Sequence, residues 1–465
     1  MITFPDGFLW GAATSHFQIE GNPFEIANRC SDWSAWTTVE GHIADHTNAD
    51  QACEFYNRYL DDIELLSQLN LKAFRLSLNW PTLCPGPSNI NEPLKVNREQ
   101  VEHYRKLLTA LKKKGIKTIV TLYHFCLPKH LADLGGWQSQ VTVDEFARLA
   151  QFVAREYKGL VDYWLTINEP LVQVYQGYIK GVWPPGLKHC YKEAFISIRN
   201  LLSAHAYAYQ AIHIEDPQAK VSYAMHWRPF APRNKFSPLD QMVSYFRNNI
   251  FNHLFPRSIH TGSLTFPFPL DLQPEVKELE GPISGLKNSV DYLALNYYTR
   301  EICQFNYQFP FDPFGIKSAA SGQWTVDAMG WESYSLGLHK LLTEEMLPYH
   351  FDKNGRELPI IITENGYASS FPAQMTEGDW SLDDPERIAY LKSHLLAIHR
   401  AIKDGVKITG YLYWSFLDNF EWADGLQMRF GLVRVAFPTQ KRTPRKSAIF
   451  YAGIAAINGL DDSTM

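Results

Sequence analysis

The sequence predicts an α/β fold in which parallel strands alternate with helices around a barrel. Short runs of β-branched and aromatic residues recur with segments of helical period between them. They give eight strands, with no linker, repeat or low-complexity stretch. A length of 465 residues suits one large barrel with long loops, or two to three ordinary domains. Two of the strands end in a glutamate: Ile360-Ile361-Ile362-Thr363-Glu364, and the run from Val161 to Ile167 followed by Asn168-Glu169-Pro170. A carboxylate at the C-terminal mouth of a buried strand is costly unless it is paired. In a parallel barrel that mouth is where active sites lie.

Taken in order, Phe8–Thr14 reads as the first strand. Gln18 follows it, and its amide suits either two adjacent sugar hydroxyls or a loop hydrogen bond. Tyr56–Leu69 has helical spacing, and Lys72–Trp80 is the second strand. Arg75, set among its apolar residues, wants a carboxylate: one of the two glutamates, or a purely structural partner. Val101–Lys114 is helical and Gly115 ends it. Lys117–Tyr123 is the third strand, and His124 at its end is either structural or a hydroxyl contact. Phe146–Tyr157 is the helix before the Glu169 strand. Ala194–Ile214 is a long helix stopped at Asp216-Pro217. Lys220–Met225 is the fifth strand, and Arg228–Asp240 a proline-punctuated loop. Val290–Asn296 is the sixth, with Tyr297-Tyr298 after it. Residues 303–335 read as a long aromatic loop (Phe305, Phe309, Phe311, Phe314, Trp324, Trp331), expected to form a wall of the cleft. Arg387–Ile402 is the helix after the Glu364 strand, and Lys407–Trp414 the eighth strand.

The two glutamates are too far apart in the chain to be helical or hairpin neighbours. At the same end of two strands of one barrel they can face each other across its axis. Glycoside hydrolysis needs that arrangement, with one carboxyl as acid and the other as nucleophile or base. The near-matching contexts Thr-x-Asn-Glu and Thr-Glu-Asn-Gly strengthen the pairing. Glu364 alone could equally cap the turn that follows.

Composition narrows the class. With 45% hydrophobic and 20% charged residues a large core is available. A net charge of −5 argues against a nucleic-acid surface. Thirteen Trp and 24 Tyr suit the stacking of sugar faces, or simply a large core. The start, Met1–Asp6, lacks a basic stretch and an apolar stretch, so no secretory leader is expected. No apolar run is long enough for a membrane span. Six scattered cysteines without a Cys-x-x-Cys pair fit a reducing cytoplasm. The sixteen histidines contain no His-x-His and no His-Glu-x-x-His, so neither a metal nor another cofactor is expected.

The motifs named so far, with Leu295–Thr299 and Tyr413–Trp422, run from end to end and together resemble the family 1 glycoside hydrolases, the β-glucosidase and β-galactosidase group. The resemblance implies a single-domain (β/α)₈ TIM barrel with long βα loops, covering 1–465. It also implies a retaining exo-β-glycosidase acting on β-linked glycosides. By that likeness Glu364 is the nucleophile and Glu169 the general acid/base. Gln18, His124, Asn168, Glu421 and Trp422 hold the terminal sugar, Trp414 is its stacking floor, and Trp331 is a platform for the leaving group. Arg75, Asn296 and Tyr298 orient the nucleophile. The same scaffold could also serve a transglycosylase or a non-catalytic sugar-binding protein; oligomeric state is not legible. Two segments depart from the family pattern: Cys126 stands where an Asp is common, and Ala27–Trp33 replaces a glycine-rich stretch.

Overall fold

The computed structural model describes residues 2–88, 92–267, 274–307, 316–317, 320–352, 354–370 and 382–461. Eight parallel strands close a barrel: β1 (Leu9–Ala13), β2 (Ala73–Ser77), β3 (Lys117–Tyr123), β4 (Tyr163–Asn168), β5 (Val221–His226), β6 (Leu293–Asn296), β7 (Ile360–Glu364) and β8 (Ile408–Trp414). Each strand pairs with the next in the chain, and β8 pairs with β1. Helices cover the outside: α1 (Phe55–Gln68), α2 (Arg98–Lys113), α3 (Gln140–Glu156), α4 (Tyr191–Glu215), α5 (Pro238–Asn248), α6 (Leu254–Thr261), α7 (Ser335–Lys340), α8 (Pro385–Lys403) and α9 (Lys446–Ile457). The ends of the described chain are tied together, Ile2–Thr3 pairing antiparallel with Gly459–Leu460.

The strands are apolar on both faces because both are buried. One face meets the helices: Phe74, Leu76, Val120, Leu122, Ile360 and Ile362 pack with Leu107, Leu111, Phe146, Leu391 and Leu395. The other fills the barrel, where Ala13, Ile119, Leu165, Ala224, Ile361 and Leu412 meet from different strands. The interior is thus a packed core, and its polar residues collect at the C-terminal mouth.

Several boundaries differ from the sequence expectation. β2 ends at Ser77, before Trp80, because the Asn79 side chain accepts from the Thr82 amide and starts a short helix, Trp80–Leu83. β6 begins later, because Asp291 is committed to the Val221 amide. β5 runs one residue further, to His226. The proline-punctuated loop contains a short strand, Phe230–Pro232, pairing with Glu301–Gln304, and α5 starts inside it at Pro238. The aromatic segment is not one cleft wall. Phe305 is buried with Val243 and Cys303, and Trp324 packs edge-on against Tyr334. Only Trp331 of the described aromatics meets a candidate site residue, Tyr298. Phe309, Phe311 and Phe314 lie outside the described residues.

Candidate active site

β7 delivers Glu364 to the barrel mouth, and the chain must then turn at once. Gly366 permits this, since a Cβ there would lie 1.8 Å from the Trp414 carbonyl oxygen. Asn365 fixes the turn by donating to the Tyr297 carbonyl and accepting from Tyr411. β4 delivers Glu169, whose backbone has φ 43°, a left-handed conformation unusual for glutamate. Such strain gathers at functional sites. Pro170, with no amide hydrogen to leave unpaired, opens the helix Pro170–Val174 directly behind it.

A buried network joins the two carboxyls. Arg75 Nη1 donates to Glu364 Oε1 at 2.5 Å, and the Tyr298 hydroxyl donates to Oε2 at 2.6 Å. Arg75 Nη2 donates to Asn168 Oδ1 at 2.7 Å, and its Nε to Thr121 at 3.1 Å. Asn296 Nδ2 donates both to Asn168 Oδ1 and, at 2.8 Å, to Glu169 Oε1. Arg75 is wholly buried, so its partner is a catalytic-mouth carboxylate rather than a remote structural one.

These surroundings decide where a shared proton rests. Burial pushes Glu364 up to about 7, the Glu169 charge adding to the rise while Arg75 and Tyr298 oppose it. The contribution from Glu169 disappears once Glu169 itself holds a proton. Burial penalises an ionised Glu169 too, but His226 and the Asn296 amide hold it below the ordinary carboxylate range. His226, however, is buried and its own pKa is lowered. Its imidazole is therefore uncharged at neutral pH, and the ionic part of its pull is lost. Glu364 keeps a guanidinium and a phenol in direct contact; Glu169 keeps an amide, a neutral imidazole and the more distant positive charge of Arg228. The two donors in direct contact with Glu364, one of them charged, favour its ionised form, the more so once Glu169 holds a proton.

Around this pair sit the remaining candidates. Gln18 is fully buried and donates to Asn419, the Phe420 carbonyl and Glu421, while Ser15 donates to its carbonyl oxygen. Its amide is thus held by the loop and also reaches a site carboxyl. The His124 ring lies nearly parallel to Trp414 (22°) and Trp422 (17°). Its Nε2 meets the Asn168 amide at 3.1 Å, while Nδ1 is buried without a hydrogen-bond partner. Trp422, at φ 49°, is wedged by Phe17, Trp33 and Trp183. Trp331 packs on Tyr298 at 5.2 Å. All twelve candidates therefore gather at one end of the barrel.

The departures from the family pattern meet each other. Cys126 is buried among Phe125, Trp183 and Phe420. Asp32, in the substituted early segment, accepts from the Leu127 and Trp33 amides at 2.9 and 2.8 Å. The loop after His124 is thus anchored from the early segment instead of by its own carboxylate.

Sequence reading missed His226. It closes β5 with Nδ1 3.6 Å from Glu169 Oε1, and its Nε2 is buried without a partner. The signal was positional: β3 and β4 also pass from apolar strand to polar residue at the mouth, and ending β5 at Met225 put His226 into a loop. Among the described residues, no three His, Cys, Asp or Glu side chains are gathered as a metal would need. Nor is any described helix long and apolar enough to cross a membrane.

A closed (β/α)₈ barrel with two linked carboxyls in a pocket of aromatic rings and amides defines a glycosidase. The family model for glycosyl hydrolase family 1 matches residues 1–460. The chain belongs to that family and is an O-glycosyl hydrolase. It is similar to a 1,4-beta-D-glucan glucohydrolase of Thermotoga neapolitana, 34% identical over 99% of this chain and 100% of that protein. It is also similar to beta-glucosidase A of Thermotoga maritima, at 33% over 99% of each. A solved family 1 β-glucosidase of Thermotoga maritima superposes with a TM-score of 0.87 at 31% identity, covering 99% of both chains. The same fit holds for that organism's β-glucosidase bound to deoxynojirimycin, at 31% identity with 99% of this chain and 100% of that chain covered.

Proposed function

We propose that this protein is a retaining, exo-acting β-glycosidase that removes the terminal residue from neutral β-D-glucosides and β-D-galactosides. Glu364 is the nucleophile and Glu169 the general acid/base. The observation that carries the assignment is the unequal set of direct donors on the two carboxyls: a guanidinium and a phenol on Glu364, an amide on Glu169. In the first step a Glu364 oxygen bonds to the anomeric carbon as the glycosidic bond breaks, and the Glu169 proton passes to the leaving oxygen. In the second, Glu169 takes a proton from water, the water oxygen bonds to the anomeric carbon, and Glu364 leaves. A slow 2-deoxy-2-fluoro-β-glucoside should trap the first intermediate, and peptide mapping should find the sugar on Glu364. A label on any other residue overturns the assignment.

Activity requires Glu364 ionised and Glu169 protonated. The rate therefore rises with pH as Glu364 loses its proton and falls as Glu169 loses its own, giving a bell-shaped profile. His226→Phe removes a group that favours ionised Glu169, so the alkaline limb should move to higher pH while the acid limb moves less. An unchanged alkaline limb would rule out a role for His226 in setting it.

Glu421 bears on which sugars enter. Burial, with Asp424, Glu364 and Glu169 adding to it, pushes its carboxyl well above the ordinary range. A carboxyl so raised can, when protonated, donate to one sugar hydroxyl and accept from another. Exclusion of a 6-phosphate then rests on the ionised Glu364, and on Arg75 being already committed to Glu364 and Asn168 and so not free to pair with the phosphate. At about 4 Å and an effective dielectric of about 20, each ionised carboxylate facing a phosphate charge costs roughly 4 kcal/mol before screening. A 6-phospho-β-glucoside should thus have a far lower kcat/KM than its neutral counterpart. Equal or higher kcat/KM for the phosphorylated substrate would refute neutral specificity.

The six cysteines are unpaired and five of them are buried, which supports a cytoplasmic location. Activity is expected to persist in dithiothreitol.

A further inference from the structure

The chain that leaves β5 at His226 runs on into Arg228, which is held by backbone and side chain alike. The Asn252 side chain accepts from the Arg228 amide at 3.1 Å and donates to its carbonyl at 2.6 Å. Arg228 Nη1 donates to Glu301 Oε2 at 2.9 Å. Its guanidinium lies over the Phe251 ring, 4.4 Å from the ring centre. Phe251 and Asn252 both come from one π-helical turn, Asn249–His253, directly after α5. π-Turns cost helical regularity and recur at functional sites. Arg247, near the end of α5, also pairs with Glu301.

This arrangement leads to Glu169. The Phe251 ring meets the His226 ring edge to face at 5.6 Å, and His226 Nδ1 lies 3.6 Å from Glu169 Oε1. Guanidinium, phenyl and imidazole thus stand in series, ending on the carboxyl. Burial lowers the Arg228 pKa to about 10, with Glu169 opposing the fall and Arg247 adding to it. Arg228 therefore stays charged at neutral pH. The other groups facing Glu169 supply no positive charge of this kind. Glu364 from β7 and Glu421 from beyond β8 are carboxyls, while Tyr298 from beyond β6 and His226 are uncharged at neutral pH. Arg75 reaches the neighbouring Asn168 but is paired with Glu364. Where water is largely excluded, a charge one ring away acts more strongly than at an open surface.

We propose that Arg228 is a positioning residue for the reaction: clamped by Asn252 and Glu301, it fixes a positive charge behind His226 that favours the ionised form of Glu169. Glu301 offsets part of that charge and so sets its strength. The inference rests on Glu169 being the acid/base. In the first step the charge makes Glu169 a readier donor to the leaving oxygen. It also limits how far Glu364 can raise Glu169, and so fixes where the alkaline limb of the pH profile falls.

The test is the pH profile of kcat/KM for a nitrophenyl β-glucoside with the full-length protein. Arg228→Met removes the charge, so the alkaline limb should move to higher pH by about half a unit to one unit. Arg228→Lys keeps the charge and should leave the limb close to that of the unsubstituted enzyme. Glu301→Gln removes the offsetting carboxylate at nearly constant shape, so the limb should move the opposite way, to lower pH. A purely structural role would lower activity without opposite shifts. If Arg228→Met fails to fold, Glu301→Gln and Arg228→Lys carry the test. Glu169→Gln separates this inference from the assignment beneath it, since the alkaline limb should vanish there. A limb that persists in Glu169→Gln overturns the acid/base assignment and this inference with it. A limb that vanishes there but stays in place in Arg228→Met and Glu301→Gln, or moves the same way in both, overturns this inference alone.

Discussion

Glu364→Ala is expected to abolish hydrolysis, with kcat falling on the order of 10⁵-fold or more, as for loss of other covalent nucleophiles. Alanine removes the atom that bonds to the anomeric carbon, and Arg75 and Tyr298 then point at an empty site. A small anion should partly refill it. Azide, lying between Arg75 and the sugar, would attack from the face Glu364 occupied and give a glycosyl azide of inverted configuration. Formate should also restore some turnover. The pairing with Arg75 makes the stability outcome informative as well. Deleting one member of a buried ion pair leaves the other uncompensated, typically at a cost of about 3–5 kcal/mol. Arg75 retains Asn168 and Thr121 as partners, so the variant should fold with a lowered Tm. Near wild-type activity in the alanine variant, with an unchanged product configuration, would remove Glu364 from the mechanism.

Glu169→Ala should divide substrates by their leaving groups. A nitrophenolate leaves without a proton, so formation of the glycosyl-enzyme from an activated aryl glucoside should be little changed. An alkyl glucoside or a disaccharide needs the proton and should lose about 10²–10⁴-fold in that step, the usual range for a general acid. The second step also slows, because no base remains to take the proton from water. The aryl substrate should therefore show a burst of nitrophenol followed by a slow steady state. Equal losses for both substrate types in the first step would argue against the acid role. Azide needs no base and should accelerate the second step.

How much of this was legible in the sequence depends on the range of the forces involved. The strands were readable because their apolar runs are buried on both faces and need no partner to declare themselves. Glu364 and Glu169 were readable because an acidic residue at the end of such a run conflicts with its surroundings. Arg75 was readable for the same reason. In each case the signal lies within a few residues of chain. His226 gave no such conflict, since a histidine beside Trp227 and Arg228 looks like an ordinary loop. Its importance comes from a 3.6 Å approach to a residue on the neighbouring strand. The aromatic segment misled in the opposite direction: its composition suggested a cleft wall, but burial of Phe305 and packing of Trp324 on Tyr334 use those rings elsewhere.

The sequence by itself determined the alternation of elements, the two carboxyls and the set of polar residues at the strand ends, because periodicity and local chemistry are short-range. Only the tertiary structure decided how charge is divided among them. Burial, the reach of Arg75 to both Glu364 and Asn168, and the gathering of Asp424, Glu364 and Glu169 near Glu421 are properties of the closed barrel. Electrostatic energies depend on distance and on exclusion of water, and the linear chain specifies neither until the barrel brings its eight strand ends together.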